Sequence, residues 1–266
     1  MLRYGTRISA GVTPGKTGET VLNVPVFSTV ESAVRNHPEI NSSILFVPAA
    51  HAPEAVYEAL DSGISFLILI TERIPVHDTM RMMEYAYRRN SRILGPNCPG
   101  VISPSECKAG ILPGNLFSKG KVGIVSRSGS LTYEVARLMT KAGLGQSTAV
   151  GVGGDPVIGL SILETVRMFQ NDPETKVVVV IGEIGGDAEE KLAEAVQREI
   201  TLPMVGYIAG STAPQGVRMG HAGAIISGTE GTASEKKRRL AEAGVLIAEI
   251  PSQIPQLVMA KLNTTK

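Results

Sequence analysis

The sequence predicts an α/β fold built on doubly wound parallel sheets. Short runs rich in Val and Ile recur along the chain, segments of helical period separate them, and glycines or small polar residues stand where the runs end. The runs occupy 8–12, 43–47, 66–70 and 92–94, then resume at 122–125, 148–152, 177–181, 204–208 and 245–247. They are hydrophobic at nearly every position, as strands buried on both faces of a parallel sheet must be. Pro53 suits the first turn of a helix that Gly63 closes, and Ser128 suits the cap of a helix over 131–141 that stops at Gly143. Strand–helix–strand repetition of this kind specifies the doubly wound class. The Pro- and Gly-bearing connection over 95–120 reads as irregular and marks the expected domain boundary.

A chain of 266 residues can bury a sizeable core and fits two domains of ordinary size. Its 26 basic and 25 acidic residues nearly balance, which speaks against a nucleic-acid or membrane-surface partner. The basic run Lys236-Lys237-Arg238-Arg239 lies between Glu235 and Glu242 in a helical pattern and reads as a solvated helix face. Cys98 and Cys107 have neither C-x-x-C nor metal-ligand spacing, so disulfides and zinc are not expected and a reducing cytoplasm fits. No signal peptide is read at the start. The runs at 66–70 and 177–181 are far shorter than a bilayer span, so a soluble intracellular protein is expected.

In doubly wound sheets, ligands gather where strands end and helices begin. Gly15-Lys16-Thr17 imitates the end of a phosphate-binding Walker loop, but Ala10 stands where that loop needs glycine. The turn Ser126-Arg127-Ser128-Gly129-Ser130 opens a helix, where amides and hydroxyls suit an anion; a simple N-cap explains it equally well. Glu183 follows a buried strand and could orient an imidazole, or could be an ordinary helix-start acid. His221 sits in Gly220-His221-Ala222-Gly223, a small-residue loop with room for the ring to accept a group; alone it could be a plain surface histidine. Cys98 reads as a small buried residue in a turn, and His37, His51 and His77 as unremarkable edge or loop residues.

Together these segments resemble the alpha subunit of the succinyl-CoA synthetase (succinate–CoA ligase) family, ADP- or GDP-forming. The matching motifs are G-V-T-P-G-K at 11–16, I-T-E at 70–72, G-P-N-C-P-G at 95–100 and S-R-S-G-S-L-T-Y-E at 126–134. They continue as G-V-G-G-D-P at 151–156, I-G-E-I-G-G at 181–186 and G-H-A-G-A-I at 220–225, collinear over almost the whole chain. The resemblance implies a Rossmann-like CoA-binding domain over 1–96 and a flavodoxin-like ligase domain over 97–266. It makes His221 the phosphoryl carrier, made mobile by Gly220 and Gly223, and Glu183 its hydrogen-bond partner. It makes Ser126, Ser128 and Gly129 a phosphate site at a helix start, and associates Tyr133 with the carboxylate substrate. Lys16, Pro48, Ile70, Thr71, Glu72, Asn97 and Cys98 match positions expected at CoA. An ATP-grasp beta subunit is expected to complete a heterodimer or heterotetramer and to hold ADP or GDP with Mg²⁺. The expected location is the cytoplasm, or the mitochondrial matrix in a eukaryote.

One departure lies at the front, where Met1-Leu2-Arg3-Tyr4-Gly5-Thr6 aligns with the end of the family's first helix. A first strand and its G-x-T-G-x-x-G loop, roughly twenty residues, are not matched. The strands at 8–12 and 43–47 would flank that strand, so a gap or a distorted sheet is expected between them. Two rival readings follow: a related ligase for malate or acetate, and a non-catalytic binding subunit whose CoA loop is lacking.

Overall fold

The computed structural model describes residues 1–214, 216–226 and 231–264. The front of the chain forms β1 (Gly11–Val12), β2 (Thr20–Val21) and β3 (Val24–Phe27), followed by α1 (Val30–Asn36), which the Thr29 side chain caps. β1 runs parallel to β3, and β2 pairs antiparallel on its other side. Next come β4 (Ser42–Leu45), α2 (Ala52–Asp61), β5 (Phe66–Leu69), α3 (Val76–Arg88) and β6 (Arg92–Leu94). β4, β5 and β6 form a separate parallel sheet in chain order. The strands flanking the expected gap therefore lie in different sheets, β1 against β3 and β4 against β5.

The run expected at 8–12 contributes only its last two residues to a strand, and β2 and β3 were not anticipated. Val24 and Val26 are buried while Pro25 lies opposite Thr20, an alternation too short to stand out beside Pro25. The irregular segment expected over 95–120 contains an antiparallel hairpin, β7 (Gly100–Ser103) and β8 (Cys107–Gly110). Its signal was hidden because two glycines carry it. Gly100 and Gly110 face each other at φ +94° and +129°, and a Cβ on either would fall 2.1 or 2.3 Å from a carbonyl oxygen of the opposite strand.

The remainder alternates as read: β9 (Lys119–Ser126), α4 (Gly129–Lys141), β10 (Gln146–Gly151), α5 (Ile162–Gln170), β11 (Val177–Glu183), α6 (Ala188–Arg198), β12 (Met204–Ala209), α7 (Ala233–Glu242), β13 (Leu246–Ala248) and α8 (Ile254–Thr264). The seven-stranded sheet has the order β13-β12-β11-β9-β10-β7-β8. Its first five strands are parallel in the flavodoxin-like order, and β7 and β8 extend it antiparallel. β11 is buried at every position, which explains its unbroken run of four valines and Ile181.

One apolar cluster joins Ile68 and Leu94 of the three-stranded sheet to Val125, Val150, Val178 and Val180 of the larger one. The Leu160 amide also donates to the Ile93 carbonyl at 2.8 Å, so the segment before α5 seals the edge of β6. The order reverses between β9 and β11, and ligands bind outside the carboxyl ends at such a switch point. Ser126 and Glu183 end those two strands. Among the described residues no helix is long and apolar enough to cross a membrane.

Candidate active site

The site is organised around the carboxyl ends of β9 and β11. Ser126 pairs in register with Ile181, and the Arg127 amide donates to the Ile181 carbonyl at 3.1 Å, setting the chain after β9 beside Glu183. Ser126 is fully buried; its Oγ donates to the Ser128 carbonyl at 2.8 Å and accepts from the Ser128 amide at 3.0 Å. That hydroxyl shapes the turn. Ser128 then caps α4, its Oγ accepting from the Leu131 amide at 3.4 Å, and Gly129 is the first helical residue. A helix start carries amides without helical partners and the positive end of the dipole, so this turn suits an anion. The Tyr133 hydroxyl reaches back toward Gly129, where a Cβ would lie 3.7 Å from it. Partial burial raises the Tyr133 pKa, keeping the phenol a donor.

His221 is placed by a loop that folds back on itself. Gly220 takes φ +77°, the Met219 amide donates to the Ala224 carbonyl at 2.9 Å, and the Ala224 amide to the His221 carbonyl at 3.1 Å. The Gly223 amide donates to the Gly154 carbonyl at 3.1 Å, and a Cβ on Gly223 would lie 2.9 Å from Arg127 Nη2. In this conformation Gly223 permits close contact with Arg127 and Gly154. The His221 ring stands 2.7 Å from the Glu183 carboxylate, Nδ1 to Oε2. An ionised carboxylate can only accept, so Nδ1 carries the hydrogen and Nε2 is the nitrogen left for chemistry. The hydrogen bond to Glu183 raises the His221 pKa, against the opposing effects of partial burial and the Arg127 charge.

Behind Glu183 lies a row of buried charges. Arg127 Nη2 is 3.3 Å from Glu183 Oε1, and its Nη1 is 3.8 Å from Glu189 Oε1. Glu189 Oε1 accepts from the Glu183 amide at 3.2 Å, and its Oε2 accepts from Lys236. The Lys236 ammonium also donates to the Gly186 carbonyl at 3.0 Å and to Glu190 Oε2 at 2.8 Å. This corrects the expectation of a solvated basic face: Lys236 is 0% exposed, while Arg238 and Arg239 do lie on the surface, paired with Glu235. Period alone places Lys236 on α7; only the neighbouring acids on α6 turn it inward. The sequence reading missed Arg127, Asp155, Glu189 and Lys236 as site residues. Arg127 and Asp155 lay within quoted motifs, whereas Glu189 and Lys236 carried no signal beyond helical polarity.

The residues expected at CoA divide into groups. The Thr71 hydroxyl donates to the Val47 carbonyl beside Pro48 at 2.6 Å, and the Asn97 amide donates to the Thr71 carbonyl at 2.9 Å. Thr71 thus ties together the carboxyl ends of β4, β5 and β6, with Ile70 half-buried and Glu72 exposed beside it. Lys16 follows β1 in the other small sheet, exposed, its ammonium on Glu19 Oε1 at 2.9 Å. The Cys98 side chain is turned into the core. It is buried, donates toward the Leu69 carbonyl at 3.4 Å, and burial pushes its pKa to about 12. A link runs from this edge to the histidine. Asn97 Nδ2 donates to Asp155 Oδ1 at 2.9 Å, and the preceding Gly154 lies against the His221 ring.

A family model described as a CoA binding domain matches residues 1–73, and one described as CoA-ligase matches 125–246. A solved ATP citrate lyase from Methanosaeta concilii in complex with (3S)-citryl-CoA superposes with a TM-score of 0.86 at 25% identity, over 91% of this chain and 42% of that one. A dinucleotide-forming acetyl-coenzyme A synthetase from Ca. Korarchaeum cryptofilum shares the fold, with a TM-score of 0.71 at 20% identity over 90% of this chain and 51% of that one. The succinate–CoA ligase [ADP-forming] alpha subunit of Aquifex aeolicus is 54% identical over 96% of this chain and 84% of its own length. That of Staphylococcus epidermidis is 53% identical over the same shares. With relatives this similar along nearly its whole length, the chain belongs to the family of succinate–CoA ligase alpha subunits.

Proposed function

We propose that this chain is the catalytic alpha subunit of a succinate–CoA ligase and that His221 carries the phosphoryl group between two half-reactions. The observation that carries the reading is the His221–Glu183 hydrogen bond at the switch point, beside the start of α4. The identity to relatives named for succinate favours that acid over malate or acetate, and the assembled histidine site disfavours a binding-only subunit.

In the direction of nucleotide synthesis, an oxygen of inorganic phosphate attacks the thioester carbon of succinyl-CoA, and the CoA thiolate leaves. Nε2 of His221 then attacks the phosphorus of succinyl phosphate, and the P–O bond breaks to release succinate. Nδ1–H donates to Glu183 throughout, so the positive charge developing on the ring is met by a carboxylate. The amides at the start of α4 offer the phosphoryl oxygens hydrogen bonds, and Tyr133 offers the acid a phenolic donor. The phosphoryl group then passes from Nε2 to the terminal phosphate of a nucleoside diphosphate. A beta subunit of ATP-grasp type, in a heterodimer or heterotetramer, holds that nucleotide with Mg²⁺.

CoA is the substrate of the front half, over 1–96, and lies along the carboxyl edge marked by Pro48, Thr71 and Asn97. The ligase half spans 97–266. The Asn97–Asp155 bond joins the two halves where thioester chemistry must hand over to the histidine.

The test is phosphorylation of the full chain by labelled ATP or GTP in the presence of its beta subunit and Mg²⁺. The label is expected to be acid-labile and alkali-stable, to vanish in His221→Asn, and to be discharged by succinate plus CoA. Absence of label at His221 in a folded complex would overturn the reading.

A further inference from the structure

We infer that Arg127, Glu189 and Lys236 are positioning residues for His221, a buried row of alternating charges through which α6 and α7 set the orientation and charge of Glu183. This rests on the role proposed for His221 and adds three residues, each acting through Glu183.

The geometry is that of a shared cation. The Arg127 guanidinium lies between two carboxylates, 3.3 Å from Glu183 and 3.8 Å from Glu189, yet its hydrogen bond goes to the Gly185 carbonyl at 3.1 Å. Glu183 Oε1 is buried and accepts no hydrogen bond among the described residues. Arg127 therefore compensates Glu183 without capturing it, and Oε2 remains free to hold the imidazole. How strongly Arg127 leans toward Glu183 depends on Glu189, whose charge is balanced from the far side by Lys236. Arg127 is 7% exposed, and Glu189 and Lys236 are 0% exposed. Charges that water cannot screen interact over longer distances than surface pairs do. Glu189 also accepts from the Glu183 amide, and Gly182 allows that approach: a Cβ there would lie 2.4 Å from Glu189 Oε1.

Each member therefore has a signed effect on His221. Replacing Glu189 by Gln leaves Arg127 with Glu183 as its main counterion, so Glu183 stabilises the imidazolium less. Replacing Lys236 by Met leaves Glu189 uncompensated and draws Arg127 away, so Glu183 stabilises the imidazolium more. Glu190→Gln, at the partly accessible end, frees Lys236 to neutralise Glu189 further and acts weakly in the Glu189→Gln direction. Among the described residues, the other charged group facing His221 is Asp155, which favours the imidazolium, accepts from Asn97 and is unchanged in all three variants.

The experiment is an NMR titration of the His221 imidazole in the full chain, assigned with His221→Asn. Glu189→Gln is expected to lower the titration midpoint by about half a pH unit and Lys236→Met to raise it by a similar amount. Glu190→Gln, which perturbs only a partly exposed carboxylate, is expected to lower it by less while the thermal midpoint stays near that of the parent. Opposite shifts in the two buried variants support the relay. A fall in thermal stability with no shift at His221 in any folded variant, or shifts of one sign in both buried variants, would overturn it. The titration needs no phosphoryl transfer, so its failure is distinguishable from failure of the ligase reading.

Discussion

The His221 imidazole rests directly on the backbone at Gly154: a Cβ added there would stand 2.2 Å from His221 Cγ and 2.4 Å from Nδ1. Gly154→Ala must therefore push the ring off its seat and lengthen the bond to Glu183. The displaced group is a loop side chain, so the fold is expected to survive with a loss of about 1 kcal/mol, while phosphorylation of His221 falls roughly a hundredfold. Thermal denaturation alongside the rate of phosphohistidine formation checks both parts. Equal phosphorylation rates in the variant and parent would show that the ring does not work from this position.

The Glu183 contact also fixes a pH dependence. Only the neutral imidazole has a lone pair on Nε2, so the rate of phosphorylation rises with pH through the His221 pKa. The Glu183 hydrogen bond raises that pKa, which places the acid limb above the ordinary histidine value of about 6.5. Glu183→Gln is expected to move the limb to lower pH and to reduce the plateau roughly a hundredfold, because the ring's developing charge loses its counterion. The sign for stability is consistent. A raised histidine pKa contributes stability that is fully present below about pH 6.5 and lost as pH rises through the raised value. Rate–pH profiles of the two proteins decide this.

The strands of the larger sheet were legible because burial on both faces writes itself as a continuous run, as in the four valines of β11. The Ser128 cap was legible because a hydroxyl before a helical period has few other uses. The β7–β8 hairpin was not, since Gly100 and Gly110 report backbone approach rather than hydrophobic period. Lys236 was misread for a related reason: its helix pattern is that of a surface residue, and only tertiary contact with Glu189 and Glu190 reveals its burial. His221 and Glu183, 38 residues apart, were linked by the family's motifs before any geometry was known. Arg127, the cation that Glu183 shares with Glu189, lies inside one of those motifs and was passed over because the serines around it already gave the turn a reading.

The Asn97–Asp155 bond joins the two halves of the proposed reaction, so breaking it should separate them. Asp155→Ala is expected to leave phosphorylation by nucleotide within a fewfold of the parent and to slow discharge by succinate plus CoA roughly tenfold, the effect of about 1.4 kcal/mol on a barrier. Single-turnover measurements of the two half-reactions provide the check. Equal losses in both would mean that Asp155 serves His221 alone.

The start of the larger sheet depends on a glycine pair. Gly120 and Gly145 meet so closely that a Cβ on Gly120 would lie 2.2 Å from the Gly145 carbonyl carbon, and one on Gly145 would lie 2.2 Å from the Lys119 carbonyl oxygen. These neighbours are backbone and cannot swing aside. The crossing is locked by Gln146, whose amide donates to the Ser118 carbonyl at 2.7 Å, and the register of β9 and β10 shifts just beyond it, between Gln146 and Ala149. Gly145→Ala must separate the two strands at their amino ends, far along the sheet from His221. It is expected to cost ~1–3 kcal/mol in chemical denaturation, a typical penalty for overpacking, without shifting the acid limb of the rate–pH profile. A variant with unchanged stability would mean that the strands do not cross as closely as this, and a shifted acid limb would mean that strain at this end of β9 travels its length to Arg127.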